Sequence, residues 1–285
     1  MKLIIGLDGA NPDLKLPEGT RWESESFGDP PHTGPNWLSI YTGVSPEVHG
    51  VTDGGWLLEH KGYSSLPVTG IFDVLENWVS LWMPMTSEVP EKPGCGCLRG
   101  FPTTRGGWGI YRCSLPVDSV GLNGAKWHLK RSDPEWQESL FQLEKAHLEW
   151  AVTHYGALSQ IDTLFYGSTI LDRAGHGSKV LDCEFYHRAE RFAESLVDRL
   201  LDHFQPDDWL VCSDHGFEDA PGCPRHSKVG LCAMKGRQQV LSKMSIIGTN
   251  QALCDMLGIE TGKPIERTPE EPENIKSQLE SLGYL

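Results

Sequence analysis

The stretch MKLIIGLDGA at residues 1–10 contains a short apolar run, Lys2 to Leu7, that ends at Asp8. Continuous apolar runs of this length are typical of strands that a parallel sheet buries on both faces. Glycines at positions 6 and 9 leave the backbone around the aspartate uncrowded. We therefore predict a central buried strand that carries a carboxylate at its carboxyl end.

Strand and helix patterns alternate along the rest of the chain. Helices are predicted over 35–43, 70–78, 133–155, 182–204 and 246–257, and strands over 79–84, 162–166 and 209–212. This order favours an α/β fold with a mainly parallel central sheet and helices on both faces. Residues 84–132 are rich in Gly, Pro and Cys and lack periodicity, so we expect a small inserted cap within a single domain over 1–285.

Charge and hydropathy exclude several partners. Lys and Arg number 25, Asp and Glu number 39, and the net charge is −14. An acidic surface disfavours non-specific binding to nucleic acid or to anionic membranes. A small phosphate substrate remains compatible, because bound metal ions reverse the sign of a pocket locally. The sequence shows no signal peptide and no run near the roughly 18 apolar residues of a membrane helix, so a cytoplasmic location is expected.

Candidate metal ligands follow three of the predicted strands. Asp8 ends the first strand, DRAGH at 172–176 follows the strand over 162–166, and SDHG at 213–216 follows the strand over 209–212. In such sheets ligands bind at the carboxyl ends of the strands. Asp172 and His176 lie one helical turn apart, and Asp214 and His215 can share an ion if the chain turns at the next glycine. Ordinary surface contacts or loop capping remain the alternative for each pair.

A threonine precedes the helix predicted over 35–43. The segment PPHTGPNWLSIYTGVSPEVHGV at 30–51 places Thr33 before the helix, where free amides and the helix dipole attract negative charge. Its hydroxyl can serve as a nucleophile, and the Asn36 amide can serve as an oxyanion donor. The alternative is that Thr33 only caps the helix. For Thr42 and His49 we favour structural roles.

The order of these pieces resembles the alkaline phosphatase superfamily, and most closely its type I phosphodiesterase and nucleotide pyrophosphatase branch. The nucleophile motif of that branch is Thr, any residue, Pro, Asn, followed by Thr-Gly, Pro-Glu and His-Gly. This chain has the motif in step, at Thr33, Pro35, Asn36, Thr42, Gly43, Pro46, Glu47, His49 and Gly50. Residues 83–104, 246–266 and 279–285 also resemble predicted prokaryotic phosphohydrolases of the superfamily, so the likeness covers most of the chain.

The resemblance implies two divalent metal ions, most simply Zn²⁺, with Mn²⁺ or iron chemically possible. One ion would be held by Asp172, His176 and His226, and the other by Asp8, Asp214, His215 and the Thr33 oxygen. Thr33 would form a phospho-threonine intermediate, with the Gly34 amide and Asn36 donating to a phosphoryl oxygen. Two departures are Gly34, where pyrophosphatase-type members carry an aromatic residue, and Trp37, where they carry histidine. His226 also lies at an unfamiliar distance from SDHG.

The function implied is a phosphodiesterase or nucleotide pyrophosphatase that acts on a small phosphoester or nucleotide. A phosphomonoesterase, phosphonate hydrolase or phosphomutase at the same site is the alternative, with Arg99, Arg105 or Arg112 of the cap as clamps for a dianionic substrate. A sulfatase is disfavoured, because Thr33 and Trp37 do not fit the Cys/Ser-x-Pro-x-Arg motif of those enzymes. A non-catalytic metal-binding recognition protein is the alternative of another class.

Overall fold

The computed structural model describes residues 1–52, 63–86, 89, 92, 94–98, 133–158, 160–236, 239–240 and 243–265. Within them the central sheet comprises β1 (Lys2–Leu7), β2 (Thr20–Glu25), β3 (Trp78–Leu81), β4 (Gly96–Leu98), β5 (Thr163–Ser168), β6 (Asp208–Cys212), β9 (Val229–Met234), β10 (Gln239–Val240) and β11 (Met244–Ser245), while β7 (Gly216–Glu218) and β8 (Arg225–Ser227) form a separate ribbon. The helices are α1 (Thr33–Thr42), α2 (Pro46–His49), α3 (Ile71–Val74), α4 (Pro134–Thr153), α5 (Tyr155–Leu158), α6 (Ile170–Gly177), α7 (Glu184–Phe204) and α8 (Ile246–Leu257), and Tyr63–Ser65 forms a 3-10 turn.

The sheet is mostly parallel, as predicted. Its strand order is β10-β2-β9-β6-β1-β5-β3-β4, and β11 also pairs with β2. Strand β1 lies between β5 and β6 and is parallel to both, and β3 is parallel to β4 and β5. Strand β9 is antiparallel to β2 and β6. The carboxyl ends of β1, β5 and β6 therefore meet at one edge of the sheet.

Helices cover both faces of the sheet and bury two hydrophobic clusters. Alternate residues of β1 point to opposite faces, so Leu3 and Ile5 join the cluster under α4, α6 and α7, whereas Ile4 joins the cluster under α1, α3 and α8. Burial on both faces explains the uninterrupted apolar run of β1. No helix in the described part of the chain is long and apolar enough to cross a membrane.

The structure confirms several predicted elements and corrects others. Strand β1 and helix α8 have the predicted bounds, and α7 begins at Glu184, two residues later than predicted. The helix predicted over 70–78 is a single turn, because the backbone at Leu75 is extended (φ −71°, ψ 147°) and leads into β3. Strands β2 and β9 were not predicted.

The proposed cap boundary needs a correction. Residues 84–132 were expected to lie outside the core, yet Gly96–Leu98 forms β4, the strand that pairs in parallel with β3. Cys95 and Cys97 are buried in the hydrophobic cluster below it. Residues 99–132, which include the three candidate arginine clamps, lie outside the described residues. A cap formed by them, and a single domain over 1–285, stay predictions.

The His49 side chain joins α2 to α1 through hydrogen bonds. Its Nε2 atom lies 3.1 Å from Ser39 Oγ and 3.2 Å from the Pro35 carbonyl oxygen, and the Val51 amide donates to Nδ1 at 3.3 Å. Nδ1 is thus an acceptor, and the proton resides on Nε2. Burial lowers the pKa of His49 to about 4. The residue has the structural role that the sequence favoured, and it is neutral in the folded protein.

His49 should make the folded protein less stable as the pH falls from 6.5 towards 4. Its pKa drops from 6.5 to about 4 on folding, so the unfolded chain binds more protons in this window and the free energy of unfolding rises with pH. This difference in pKa between the unfolded and folded states corresponds to roughly 3 kcal/mol in the free energy of unfolding. Urea unfolding of the wild type and of His49→Gln at pH 4.5 and 7 checks this. We expect a smaller difference between the two pH values in the variant, and an unchanged one would contradict the assignment.

Candidate active site

Thr33 is the first residue of α1, at the carboxyl edge of the sheet. His32 occupies the N-cap position with an extended backbone (φ −122°, ψ 140°), so the expectation that Thr33 lies before the helix, or caps it, is wrong by one residue. The Thr33 side chain is buried, and its Oγ1 atom lies 3.5 Å from Nε2 of His215. The first intrahelical bond is donated by the Asn36 amide to the His32 carbonyl, at 3.3 Å. The amides of Thr33 and Gly34 thus belong to the free amides of the first turn.

Three carboxylates surround His215. Asp8 directly follows β1, Asp214 lies two residues after β6, and Asp172 lies in α6, which follows β5. The Nε2 atom of His215 is 3.4 Å from Asp8 Oδ1, 3.5 Å from Asp214 Oδ2 and 3.9 Å from Asp172 Oδ1. The backbone fixes this arrangement, since the Asp172 amide donates to the Asp8 carbonyl at 3.0 Å. The predicted convergence of the three aspartates at one sheet edge is what the fold produces.

Two further imidazoles meet Asp172 on the outer side of the site. The Nε2 atoms of His176 and His226 both lie 3.3 Å from Asp172 Oδ1, and they lie 2.8 Å from each other. His176 is one turn along α6 from Asp172, as predicted. His226 comes from β8, in the ribbon that α6 faces across Phe217. Every metal ligand suggested by the sequence therefore lies within one cluster.

Burial sets the electrostatics of the two inner carboxylates. It raises the pKa of Asp8 well above its usual value, and the negative charges of Asp214 and Asp172 raise it further. Burial likewise raises the pKa of Asp214. Among the described residues, the ion pairs of these carboxylates involve only histidines. The inner part of the site thus holds two buried acidic groups whose charged forms need a cation to stabilise them.

The outer part of the site has the opposite balance. Burial alone would raise the pKa of Asp172, but hydrogen bonds from His176 and His226 outweigh it and hold the pKa below the usual range. Burial works against a charge on His226, yet the bond to Asp172 raises the pKa of that imidazole. Burial lowers the pKa of His215 to about 3, which keeps this imidazole neutral.

The donor set fits divalent metal ions. Both carboxylate oxygens of Asp8 and of Asp214 are buried without a hydrogen-bond partner, an arrangement that is costly unless a cation compensates it. Ligand atoms lie within 4.8 Å of one another in two groups, Asp8 with Asp214 and His215, and Asp172 with His215 and His226. Carboxylate and imidazole donors suit zinc and related ions.

Backbone carbonyls orient two of the imidazoles. Nδ1 of His215 donates to the Gly216 carbonyl at 3.0 Å, and Nδ1 of His226 donates to the Pro31 carbonyl at 2.8 Å. Each bond turns the Nε2 atom of its ring towards the carboxylates, and in the neutral imidazole the Nε2 lone pair is then available to a metal ion. Pro31 precedes Thr33 by two residues, so the loop before Thr33 also orients a candidate metal ligand.

The sequence predicted that the Asn36 amide donates to a phosphoryl oxygen, but the structure shows this amide bonded to the backbone. Its Oδ1 atom accepts from the Phe27 amide at 2.8 Å, and its Nδ2 atom donates to the carbonyls of Phe27 at 3.1 Å and His32 at 2.9 Å. Both N–H donors and the oxygen are therefore engaged by the backbone, and the residue is fully buried. This geometry does not match the suggested donation to a phosphoryl oxygen.

The sequence missed residues that shape the turn at SDHG. Ser213 Oγ accepts from the Ala10 amide at 2.9 Å and donates to the His215 carbonyl at 2.6 Å, which brings both Asp214 and His215 to one side. The Phe217 ring lies 5.1 Å from His226 and 5.4 Å from His176, centroid to centroid. A Cβ at Gly175 would lie 2.7 Å from this ring, so the glycine of DRAGH is required by packing. Ser213 in SDHG and Gly175 in DRAGH were the sequence features from which these roles could have been predicted.

Comparison with known proteins assigns the chain to a family. The model of the family "Type I phosphodiesterase / nucleotide pyrophosphatase" matches residues 18–282. The chain belongs to this family. It is accordingly a hydrolase of the phosphodiesterase/nucleotide pyrophosphatase type, and the resemblance stated from the motifs is confirmed. The family is metal-dependent, in agreement with the donor groups described above. Among curated protein sequences, no match to this chain was found.

Solved structures share the fold of this phosphodiesterase family member at low identity. Murine ectonucleotide pyrophosphatase/phosphodiesterase 5 has a TM-score of 0.59 and 12% identity, covering 95% of this chain and 98% of that one. Its inactive threonine-to-alanine variant in complex with AMP has a TM-score of 0.58 and 12% identity, covering 93% and 96%. The human protein has a TM-score of 0.53 and 11% identity, covering 93% and 96%. These relatives establish an alkaline phosphatase-like architecture.

Proposed function

We propose that the chain hydrolyses phosphodiesters or nucleotide pyrophosphates through a phospho-Thr33 intermediate at a two-metal site. The observation that carries the proposal is the position of Thr33 Oγ1, 3.5 Å from His215 and beside buried carboxylates that have no hydrogen-bond partner. A hydroxyl held against such ligands at a helix N-terminus has the surroundings of an activated nucleophile.

Two groups of side chains would hold the ions. Asp8, Asp214 and His215, together with the Thr33 oxygen, would form one site. Asp172, His176 and His226 would form the other, and the Nε2 atom of His215 lies within reach of both groups. When bound, the ions would supply positive charge that lowers the pKa of the Thr33 hydroxyl and offsets the charge on the entering and leaving oxygens. Zn²⁺ suits these donors best.

The residues of the chain would divide the reaction into two displacements. The Thr33 oxygen attacks phosphorus while the bond to the leaving alcohol or phosphate breaks, and the hydroxyl proton is lost to solvent. Water then attacks phospho-Thr33, which releases the phosphomonoester and restores the hydroxyl. The amides of Thr33 and Gly34, free in the first turn of α1, would donate to a non-bridging oxygen in both steps.

A small phosphoester or nucleotide is the proposed substrate. The murine relative binds AMP in its inactive threonine-to-alanine variant, which supports a nucleotide product and a threonine nucleophile here. Gly34 leaves no aromatic ring directly after the nucleophile, so a base would have to be held elsewhere. Among the described residues, the ion pairs at the site involve only histidines. Membership of the phosphodiesterase family favours a diester, with its single negative charge, over a dianionic monoester.

A matched pair of substrates tests the proposal. Zinc-loaded protein should turn over bis-p-nitrophenyl phosphate with a kcat/KM at least about tenfold above that for p-nitrophenyl phosphate, since a tenfold ratio needs a difference of only about 1.4 kcal/mol in transition-state binding. The pyrophosphatase activity is tested with a dinucleoside polyphosphate as the substrate, by measuring the AMP that is released. Preference for the monoester would favour the phosphomonoesterase alternative. Bound metal without turnover of any ester would favour a recognition protein.

A further inference from the structure

The loop over residues 26–32 connects the nucleophile to both groups of candidate metal ligands. The Ser26 hydroxyl donates to the carbonyl of Asp214, and its amide donates to the Lys228 carbonyl at 2.8 Å. At the other end of the loop, the Pro31 carbonyl accepts from Nδ1 of His226 at 2.8 Å. One short segment therefore contacts the backbone of Asp214, in one group of candidate ligands, and the imidazole of His226, in the other.

The tip of this loop has little packing of its own, whereas Ser26 and Pro31 near its two ends are buried. Gly28, Asp29 and Pro30 are exposed, and a single bridge joins Gly28 to Pro31. An exposed ion pair between Asp29 and Lys228 at 3.2 Å contributes little. The position of the Pro31 carbonyl must therefore be set from the base of the loop.

Asn36 supplies that support from inside α1. Its amide pairs with both the N–H and the carbonyl of Phe27, and its second N–H donates to the His32 carbonyl. The two contacted residues flank the loop tip, so one buried side chain closes the loop. A flipped amide would lose all three bonds, which assigns the orientation.

We propose that Asn36 is a positioning residue that holds the 26–32 loop so that the Pro31 carbonyl orients His226 as a metal ligand. The inference rests on the proposed two-metal site and deepens it. It replaces the role suggested by the resemblance, in which the Asn36 amide donates to the phosphoryl group. Hydrogen-bond partners of metal-binding histidines are typically worth 10–100-fold in metal affinity.

Calorimetric titration of metal-free protein with Zn²⁺ alone tests the inference without turnover. In the wild type we expect two binding steps. Asn36→Ala should weaken one step by about 10–100-fold and leave the other within about threefold. His226→Ala should weaken the same step, and the double variant should be no weaker than His226→Ala, because both changes act through one ligand. Unchanged binding of both ions together with lost turnover would overturn the inference and restore the phosphoryl contact.

Two further variants keep the test decisive. Asn36→Asp keeps the shape and the acceptor for the Phe27 amide but loses both donors, so it should repeat the effect of Asn36→Ala even if the alanine variant folds poorly. Thr42→Val is the matched control, because Thr42 Oγ1 bonds only within α1, to the Leu38 carbonyl at 2.7 Å. It should lower stability and leave both binding steps unchanged. Equal weakening of both steps by Asn36→Asp would show a general structural role and overturn the inference. If the wild type binds no zinc, the proposed function fails first.

Discussion

Thr33→Ala should abolish turnover while the protein keeps its metal ions. The substitution removes the oxygen that would attack phosphorus, whereas Asp8, Asp214 and His215 remain around the inner metal position. Loss of a nucleophile in hydrolases with covalent intermediates lowers kcat by roughly 10⁴–10⁶-fold. Steady-state kinetics with bis-p-nitrophenyl phosphate measure the loss, and calorimetric titration with Zn²⁺ should show affinities within about tenfold of the wild type, since one of several ligand atoms is missing.

Thr33→Ser is the matched control, because it retains the hydroxyl and loses only a methyl group from a buried position. It should keep at least about a hundredth of the activity, a loss of no more than about 3 kcal/mol in transition-state binding. With bis-p-nitrophenyl phosphate, a burst of p-nitrophenol equal to the enzyme concentration, with a p-nitrophenyl phosphate group retained on residue 33, would show the intermediate directly. Near wild-type turnover by Thr33→Ala would rule out this nucleophile.

Much of the fold could be predicted because its central strands have one-dimensional signatures. The run ending at Asp8 is buried on both faces and is apolar throughout, and α8 and α7 carry helical periodicity, so their bounds were nearly correct. Strand β4 has three residues in a Gly- and Cys-rich segment and gains its place only by pairing with β3. Strands β2 and β9 depend on antiparallel pairing with each other, a contact across two hundred residues that local pattern does not encode.

The candidate site, like the fold, could be predicted from the sequence only in part. The convergence of the candidate ligands could be predicted, because the carboxyl ends of parallel strands meet at one edge and the motifs follow those ends. The direction of a side chain could not. Asn36 lies three residues from Thr33, which suggested a shared target, but its amide bonds to the Phe27 backbone. The choice between phosphoryl oxygen and loop depends on where residue 27 lies in space, and only the three-dimensional structure supplies that.

Asp214→Asn should stabilise the metal-free protein and eliminate most of the stabilisation by metal. Both oxygens of Asp214 are buried without a hydrogen-bond partner, and its charge is one of the causes that raise the pKa of Asp8. An amide of the same shape removes that repulsion and the cost of a buried charge. A gain of about 2 kcal/mol would raise the Tm by roughly 4–8 °C for a chain of this size. In the wild type, zinc at a hundredfold excess over its Kd should add about 2.7 kcal/mol.

The same substitution separates a metal site from a merely acidic cavity. If Asp214 binds an ion, Asp214→Asn lowers kcat/KM by about 10³-fold or more and shrinks the zinc-induced rise in Tm, although the metal-free protein has become more stable. Asp255→Asn is the control, because that carboxylate is exposed and bonds only to Gln251 at 2.8 Å. It should change neither Tm nor activity. Thermal unfolding after chelation, with and without added Zn²⁺, measures both effects. If the buried charges require a cation, removing one of them should stabilise the metal-free protein and weaken metal binding at the same time. A metal-free Asp214→Asn protein less stable than the wild type would therefore mean that this carboxylate stabilises the fold without an ion.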